Sequence, residues 1–190
     1  MRNLYAIGFL YLAVATFALV RGPAAARAIT EHALGSPDYG SDAGRWFSAV
    51  KPRCNSLEVE TVHRREPPPA TMEGAGYSAA CYALAGRTDR SREIILALTG
   101  DDRWKAAGIV FNIGHPIADL GDDRSAGPIM ELVVEFWPNH YQALYHAGAS
   151  SHALGRFDRA REYLEEFLRY YDEDDFFTNN AKRLLEEIGD

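Results

Sequence analysis

The chain has 190 residues, of which 47% are hydrophobic and 25% are charged, values that are normal for a globular protein. This length accommodates one ordinary domain and an additional segment. The net charge of −7 argues against general nucleic-acid binding, because contacts to phosphates need a basic surface.

The chain begins with an apolar segment. Residues 3–20 carry no charge and lie between Arg2 and Arg21. As a helix they extend about 27 Å, close to the thickness of a bilayer core. We therefore predict a transmembrane anchor over residues 1–21. The alternative is a cleavable signal peptide, since the alanines at 24–26 offer a small-residue cleavage pattern. Positive charges on the two sides nearly balance, so the orientation in the membrane stays open.

Residues 22–70 have the composition of a linker with short structured segments. We expect a short helix over residues 42–50. A second short segment begins near Asn55, where helix and strand both remain open because the apolar residues fit either period. Three consecutive prolines at 67–69 mark the boundary with the domain over residues 71–190.

The chain contains two cysteines, Cys54 and Cys81. A single pair suits an oxidising compartment, so we hypothesise a disulfide that ties the linker to the first helix of the domain. Two unrelated buried thiols are the alternative. We accordingly expect a single-pass membrane protein whose soluble domain lies outside the cytoplasm, as in a periplasm.

The domain over residues 71–190 contains an internal repeat. The segment GRTDRSREIILAL, starting at Gly86, matches GRFDRAREYLEEF, starting at Gly155, at an offset of 69 residues (155 − 86). Around the second segment, residues 139–171 predict two amphipathic helices joined by a tight turn. Gly148 and Ala160 are small where these two helices approach each other. The offset leaves room for one further unit between the two matching segments.

The middle unit is predicted from a separate pattern. Its first helix has a signature of four residues: Trp104, Ala107, Gly108 and Phe111. Its second helix ends at Pro138, and in this register the turn between the helices is long, covering about residues 115–127. Beyond the third unit, residues 176–188 form an amphipathic helix whose polar outer face suits the cap of a helical stack.

The segment 139–171 resembles a tetratricopeptide repeat, a helical hairpin of about 34 residues, and the resemblance extends over about residues 71–190. Phe167 and Asp172 depart from the usual pattern, which favours a small residue and a proline at those places. The resemblance implies an all-α fold: a solenoid of about three such hairpins plus a C-terminal capping helix, preceded by one transmembrane helix. It also implies a module that binds other proteins.

In tetratricopeptide repeats the first helices of the hairpins line a groove that binds the ligand. The resemblance places ten residues of this chain in that groove: Glu73, Gly76 and Ala80 from the first unit, Lys105, Ile109 and Asn112 from the second, and Gln142, Tyr145, Ala149 and His152 from the third. Tyr145 is the expected binding hot spot, because aromatic side chains are enriched among hot spots.

Two groups of residues offer metal-ligand chemistry. The predicted middle turn contains His115, Asp119, Asp122 and Asp123, and three further histidines recur every six residues at His140, His146 and His152. The first group matches neither a calcium loop nor a zinc pattern, and a solvated turn explains its acidic residues. The second group does not share one helix face. We therefore predict no catalytic residue, cofactor or metal site, and no enzyme.

The expected function is a membrane-anchored scaffold for protein–protein interaction. Such an accessory subunit docks onto and stabilises a larger membrane or envelope complex, for example a secretion, respiratory or photosynthetic assembly. Its expected partners are protein subunits and, through residues 3–20, the membrane, with no nucleic acid. The alternative is a secreted or periplasmic peptide-binding factor released from its signal peptide.

Overall fold

The computed structural model describes residues 40–189, and within them it contains only helices. The helices are α1 (Asp42–Val50), α2 (Val59–Arg65), α3 (Met72–Leu84), α4 (Thr88–Leu96), α5 (Asp102–Asp119), α6 (Asp123–Phe136), α7 (Tyr141–Ala153), α8 (Phe157–Tyr170) and α9 (Phe176–Ile188), with a 3-10 turn at Lys51–Arg53. The prediction of an all-α fold is confirmed. The predicted anchor over residues 1–21 falls outside the described residues. Among the helices from α1 to α9, none is long and apolar enough to cross a bilayer.

Helices α3 to α8 form three hairpins, α3–α4, α5–α6 and α7–α8, with equivalent turns. Each turn has a glycine with a positive φ of about 70°, a conformation that glycine adopts without steric cost. These glycines are Gly86, Gly121 and Gly155, spaced by about 34 residues. The residue after each glycine donates its backbone N–H to a carbonyl near the end of the preceding helix, five residues earlier. The turns thus share one helix-ending motif that satisfies otherwise unpaired carbonyls.

The turn of the middle hairpin is short, so the predicted turn over residues 115–127 is wrong. Helix α5 continues through Pro116 to Asp119, and α6 begins at Asp123. A proline inside a helix removes one backbone hydrogen bond, here the bond to the carbonyl of Asn112. Asn112 and Pro116 are both exposed, so water can solvate the carbonyl. The helix therefore tolerates a residue that the sequence pattern treats as a boundary.

The residue that allows close packing in the middle hairpin is Gly114 rather than Gly108. A Cβ atom at Gly114 would lie only 2.6 Å from Cγ2 of Ile129 on the partner helix. At Gly108 the nearest neighbour is the ring edge of Trp137, 3.3 Å away. The sequence register of the middle unit was therefore wrong by six residues. The glycine of the third hairpin agrees with the prediction, since a Cβ at Gly148 would lie 2.7 Å from the Leu164 side chain.

The hairpins pack against one another through a continuous apolar core. Helix α3 contacts α5, α6 contacts α7, and α9 packs on α7 and α8. The contact between α3 and α5 is close because Gly76 leaves room for the side chain of Ile109. Helix α9 starts at Asp175, whose carboxylate accepts the backbone N–H groups of Phe177 and Thr178 at 2.9 and 3.1 Å. Within residues 40–189, α9 thus ends the stack as the predicted cap.

The segment before the hairpins packs on α3. Phe47 of α1 stacks on Tyr77 with ring centroids 4.9 Å apart. Cys54 and Cys81 form a disulfide, and both cysteines are buried. The segment after Asn55 is the helix α2, which settles the choice between helix and strand. The part of the predicted linker from residue 41 onward is thereby attached to the first hairpin.

Candidate functional site

The residues predicted to line a groove differ widely in exposure. Glu73, Ile109, Gln142, Ala149 and His152 are half-buried, Gly76, Ala80 and Tyr145 are buried, and Lys105 and Asn112 are exposed. Gly76 and Ala80 therefore serve packing between helices. Glu73 is also engaged, because the Ser41 hydroxyl donates a hydrogen bond of 2.8 Å to its carboxylate. Of the ten, only Lys105 and Asn112 on α5 present largely open side chains.

Tyr145 lies beneath the last helix. The residue is only 7% exposed. Its ring packs near Phe167 and Phe177, with ring centroids 5.4 and 5.1 Å away. The Asn180 amide donates a hydrogen bond of 2.7 Å to the Tyr145 hydroxyl, and burial raises the pKa of that hydroxyl. Tyr145 is therefore a packing residue, and its position does not suit the predicted role of a partner contact.

His152 is also engaged by the last helix. Its Nε2 atom lies 3.3 Å from a carboxylate oxygen of Glu187 on α9. Together with Tyr145, this contact shows that α9 takes up the face of α7 that was predicted to meet a partner. The resemblance predicted the capping helix and the groove separately, and the structure places them on the same residues.

An exposed aromatic cleft lies where α5 begins and α6 ends. It has a volume of about 360 Å³ and is lined by Trp104, Phe136, Trp137, Pro138 and Asn139. The rings of Trp104 and Trp137 meet edge to face with centroids 5.1 Å apart, and Trp104 is 40% exposed. The Lys105 ammonium lies 6.0 Å from the centre of the Trp104 ring. The cleft thus offers large apolar surface beside a cation.

A polar cluster joins the second and third hairpins. His115 and Asp119 lie one turn apart on α5, so their side chains share one face of the helix. His146 on α7 meets them: Oδ1 of Asp119 lies 3.5 Å from Nε2 of His115 and 3.7 Å from Nε2 of His146. One ligand atom from each of the three residues lies within 4.8 Å of the other two. These are donor types that bind divalent transition metals.

The surroundings of the cluster fix the two imidazole rings. The His115 ring stacks on Phe111 with centroids 4.7 Å apart and meets the His146 ring edge to face at 4.8 Å. His146 is buried, and this burial together with the charge of a protonated His115 lowers the pKa of His146 to about 4. At neutral pH the His146 ring is therefore uncharged and keeps a lone pair on one nitrogen.

The sequence pattern grouped two of the three residues of this cluster and did not connect the third with them. His115 and Asp119 were singled out, but as part of the predicted turn over residues 115–127. His146 was excluded only as a partner for histidines on its own helix. The repeat spacing is a signal that could have found this contact. When the turn at Gly121 is aligned to the turn at Gly155, His115 takes the place of Ala149, one of the residues predicted to line the groove.

The comparisons with known proteins add no relative. No family model matches the chain, and neither a curated protein nor a solved structure matches it.

Proposed function

We propose that the chain is a helical-repeat protein of the tetratricopeptide type that acts as a protein–protein interaction scaffold. The observation that carries this proposal is the recurrence of the same glycine turn at Gly86, Gly121 and Gly155, with about 34 residues between turns. Repeats of this kind stack one supersecondary unit on the next and present an extended surface to partners. The regular spacing supports the resemblance beyond the matching segments from which it was first inferred.

The aromatic cleft is the best-supported place for the partner to dock. Tryptophan is enriched among residues that dominate binding energy, and Trp104 exposes two-fifths of its surface. The partner is a protein segment that packs an apolar side chain into the cleft, against the exposed part of Trp104 and beside Trp137. Asn112 lies two turns beyond Trp104 on the same side of α5, so the contact extends along this helix. Lys105 then lies at the rim, where a charge affects the rate of association more than the affinity.

The location of the scaffold rests on two features. The disulfide between Cys54 and Cys81 supports an oxidising compartment outside the cytoplasm. The apolar run of residues 3–20 supports attachment to a membrane, so we propose an anchored accessory subunit of a larger membrane or envelope complex. An anchor raises the effective concentration of the scaffold near its partner without adding specificity.

The proposal is tested by isolating the native protein in mild detergent and identifying the chains that co-purify. Three versions are compared: the wild type, Trp104→Ala, and Tyr170→Ala as the matched control. Tyr170 is an aromatic residue that is 49% exposed at the end of α8, away from the cleft. We expect one partner chain to be retained by the wild type and the control and lost with Trp104→Ala. Equal retention by all three versions would refute the cleft as the docking place.

The alternative of a released peptide-binding factor is distinguished by fractionation. An anchored subunit stays in the membrane fraction after washing with salt and with alkaline buffer. A version that lacks residues 1–21 should still bind the partner but need a higher concentration. Recovery of the wild-type protein in the wash would favour the released factor.

A further inference from the structure

We propose that His115, Asp119 and His146 form a binding site for a divalent transition-metal ion of the zinc type, which joins the second hairpin to the third. The site is independent of the proposed docking cleft, which lies at the opposite end of α5 around Trp104. Two histidines and one carboxylate are a common set of three protein ligands for zinc, with a fourth position left open. The same set also suits ferrous iron.

Two of the three ligand distances already fit such an ion, and all three ligand atoms lie within 4.8 Å of one another. Bonds of about 2.1 Å to nitrogen and oxygen place the ligand atoms of a tetrahedral site about 3.4 Å apart. Asp119 Oδ1 already lies 3.5 Å from His115 Nε2 and 3.7 Å from His146 Nε2. The carboxylate needs no large movement, and it is the most exposed of the three side chains, at 58%. An ion can therefore enter from the solvent side, where Asp119 lies.

The ligand types disfavour calcium and magnesium. Calcium and magnesium bind through oxygen atoms, whereas two of the three donors here are imidazole nitrogens. Zinc accepts nitrogen, oxygen and sulfur ligands and binds the uncharged form of histidine. The His146 ring is buried, and its Nε2 lies 3.7 Å from Oδ1 of Asp119. The negative charge of Asp119 partly offsets the charge of the ion.

The stacking of the hairpins does not require these polar side chains. With the glycine turns aligned, the first hairpin has Ala80 and Leu84 at the places of His115 and Asp119, and the third has Ala149 and Ala153. Small or apolar residues therefore satisfy the fold at the equivalent places. The second hairpin has polar residues at both positions, unlike its neighbours. These are the positions that face His146 on α7. A ligand-binding role explains why polar groups replace apolar ones at these two positions of α5.

The rings are also held in place before any ion binds. Phe111 stacks on His115, and Tyr145 meets His146 edge to face with centroids 5.3 Å apart. Rigid side chains lose little conformational entropy when they bind a ligand. Because α5 and α7 belong to different hairpins, the bound ion would act as a cross-link in the stack.

The test uses the full-length chain, purified in mild detergent without a histidine tag and stripped of metal with a chelator. Zinc is titrated by calorimetry, and cobalt is added separately because a tetrahedral cobalt site absorbs visible light strongly. We expect one zinc ion per chain, an increase in Tm, and the tetrahedral cobalt spectrum. His115→Gln and Asp119→Asn should each weaken zinc binding by about tenfold or more, since even outer partners of metal ligands contribute about 10–100-fold.

The matched control is His152→Gln. His152 also lies beside a carboxylate, that of Glu187, but within residues 40–189 no third ligand joins this pair. The control should keep wild-type affinity and the cobalt spectrum. Asp119→Asn keeps the size of an exposed side chain, so it should fold normally, as circular dichroism and Tm without metal will verify. Wild-type zinc affinity in both His115→Gln and Asp119→Asn, or an equal loss in His152→Gln, would overturn the proposal. Partner capture by the cleft and zinc binding by the cluster are measured in separate experiments. Either proposal can therefore fail without the other.

Discussion

The Asn180 side-chain amide donates a hydrogen bond of 2.7 Å to the hydroxyl of Tyr145, which places the last helix directly over the first helix of the third hairpin. Asn180 belongs to α9 and Tyr145 to α7. The pair therefore connects the last helix to the first helix of the third hairpin. Their contact makes Tyr145 part of the fold rather than part of an open surface.

We expect Tyr145→Ala to lower the free energy of unfolding by about 3–5 kcal/mol, as for other buried aromatic residues replaced by alanine. Tyr145→Phe removes only the hydrogen bond and should cost about 1 kcal/mol. Denaturant unfolding measures both changes. Tyr170→Ala, an exposed aromatic replacement, should stay within about 0.5 kcal/mol of the wild type. Wild-type stability of Tyr145→Ala would mean that α9 does not cover α7.

The second prediction tests the register of the middle hairpin. Gly114→Leu forces a side chain against Ile129 and Met130, and such overpacking typically costs about 1–3 kcal/mol. Gly108→Leu should cost less, because its neighbour is the ring edge of Trp137 beside the open cleft. Thermal unfolding of the two variants provides the comparison. A lower Tm for Gly108→Leu than for Gly114→Leu would restore the register that the sequence pattern suggested.

Local sequence signals were sufficient to predict the helices wherever a glycine turn lay between two amphipathic segments. The matching segments after Gly86 and Gly155 located the outer hairpins, and the apolar face of residues 176–188 located the last helix. The helix over residues 42–50 also agrees with α1. These elements depend on neighbouring residues in the chain, so periodicity and turn chemistry reveal them.

The middle hairpin and the polar cluster could not be located in this way. Pro116 has the signal of a helix end, but its exposed position lets the helix continue. The first-helix pattern also fits the spacing of Trp104, Ala107 and Gly108. The residues that hold these places in α5 are Val110, Ile113 and Gly114. The approach of His146 to His115 is a tertiary contact between hairpins, and no local pattern encodes it. The same holds for the burial of Tyr145, which depends on a helix that follows much later in the chain.

The third prediction concerns acid sensitivity of the segment before the hairpins. His63 is half-buried, its Nδ1 lies 2.8 Å from the Val59 carbonyl, and its Nε2 lies 2.9 Å from the Ser78 hydroxyl. Burial lowers the pKa of His63 in the folded chain, by more than the hydrogen bond to the Val59 carbonyl and the charge of Glu60 raise it. At a pH below about 6.5, the ordinary pKa of histidine, His63 therefore binds a proton more readily in the unfolded chain than in the folded chain.

Stability should accordingly fall as the pH is lowered from about 7 to about 5. His63→Gln keeps a polar side chain without the titration, so it should show a smaller loss of stability over the same range. The measurement is the denaturant midpoint of both proteins at the two pH values. His140 and His146 also have lowered pKa values and remain in the variant, so part of the acid sensitivity should persist. An unchanged pH dependence in His63→Gln would contradict the assignment to His63.

The last prediction concerns the disulfide between Cys54 and Cys81. The bond closes a loop with a sequence separation of 27 residues and ties the segment after α1 to the last turn of α3. In the loop-entropy model, a closed loop of this size stabilises the fold by about 3 kcal/mol, because it restricts the unfolded chain. The double variant Cys54→Ala/Cys81→Ala should lose about that much, and treatment of the wild type with a reductant should cause a similar loss.

The two treatments control each other. A reductant should leave the double variant unchanged, because that variant has no bond to break. Hydrogen exchange should show the largest increase in α1 and α2, since these helices depend on the tie to α3, while α7 and α8 should be less affected. Phe47 and Tyr77 remain stacked in the folded state, so the segment should loosen rather than detach completely. Two thiols that react with an alkylating agent in the native, non-reduced protein would show that the bond does not form.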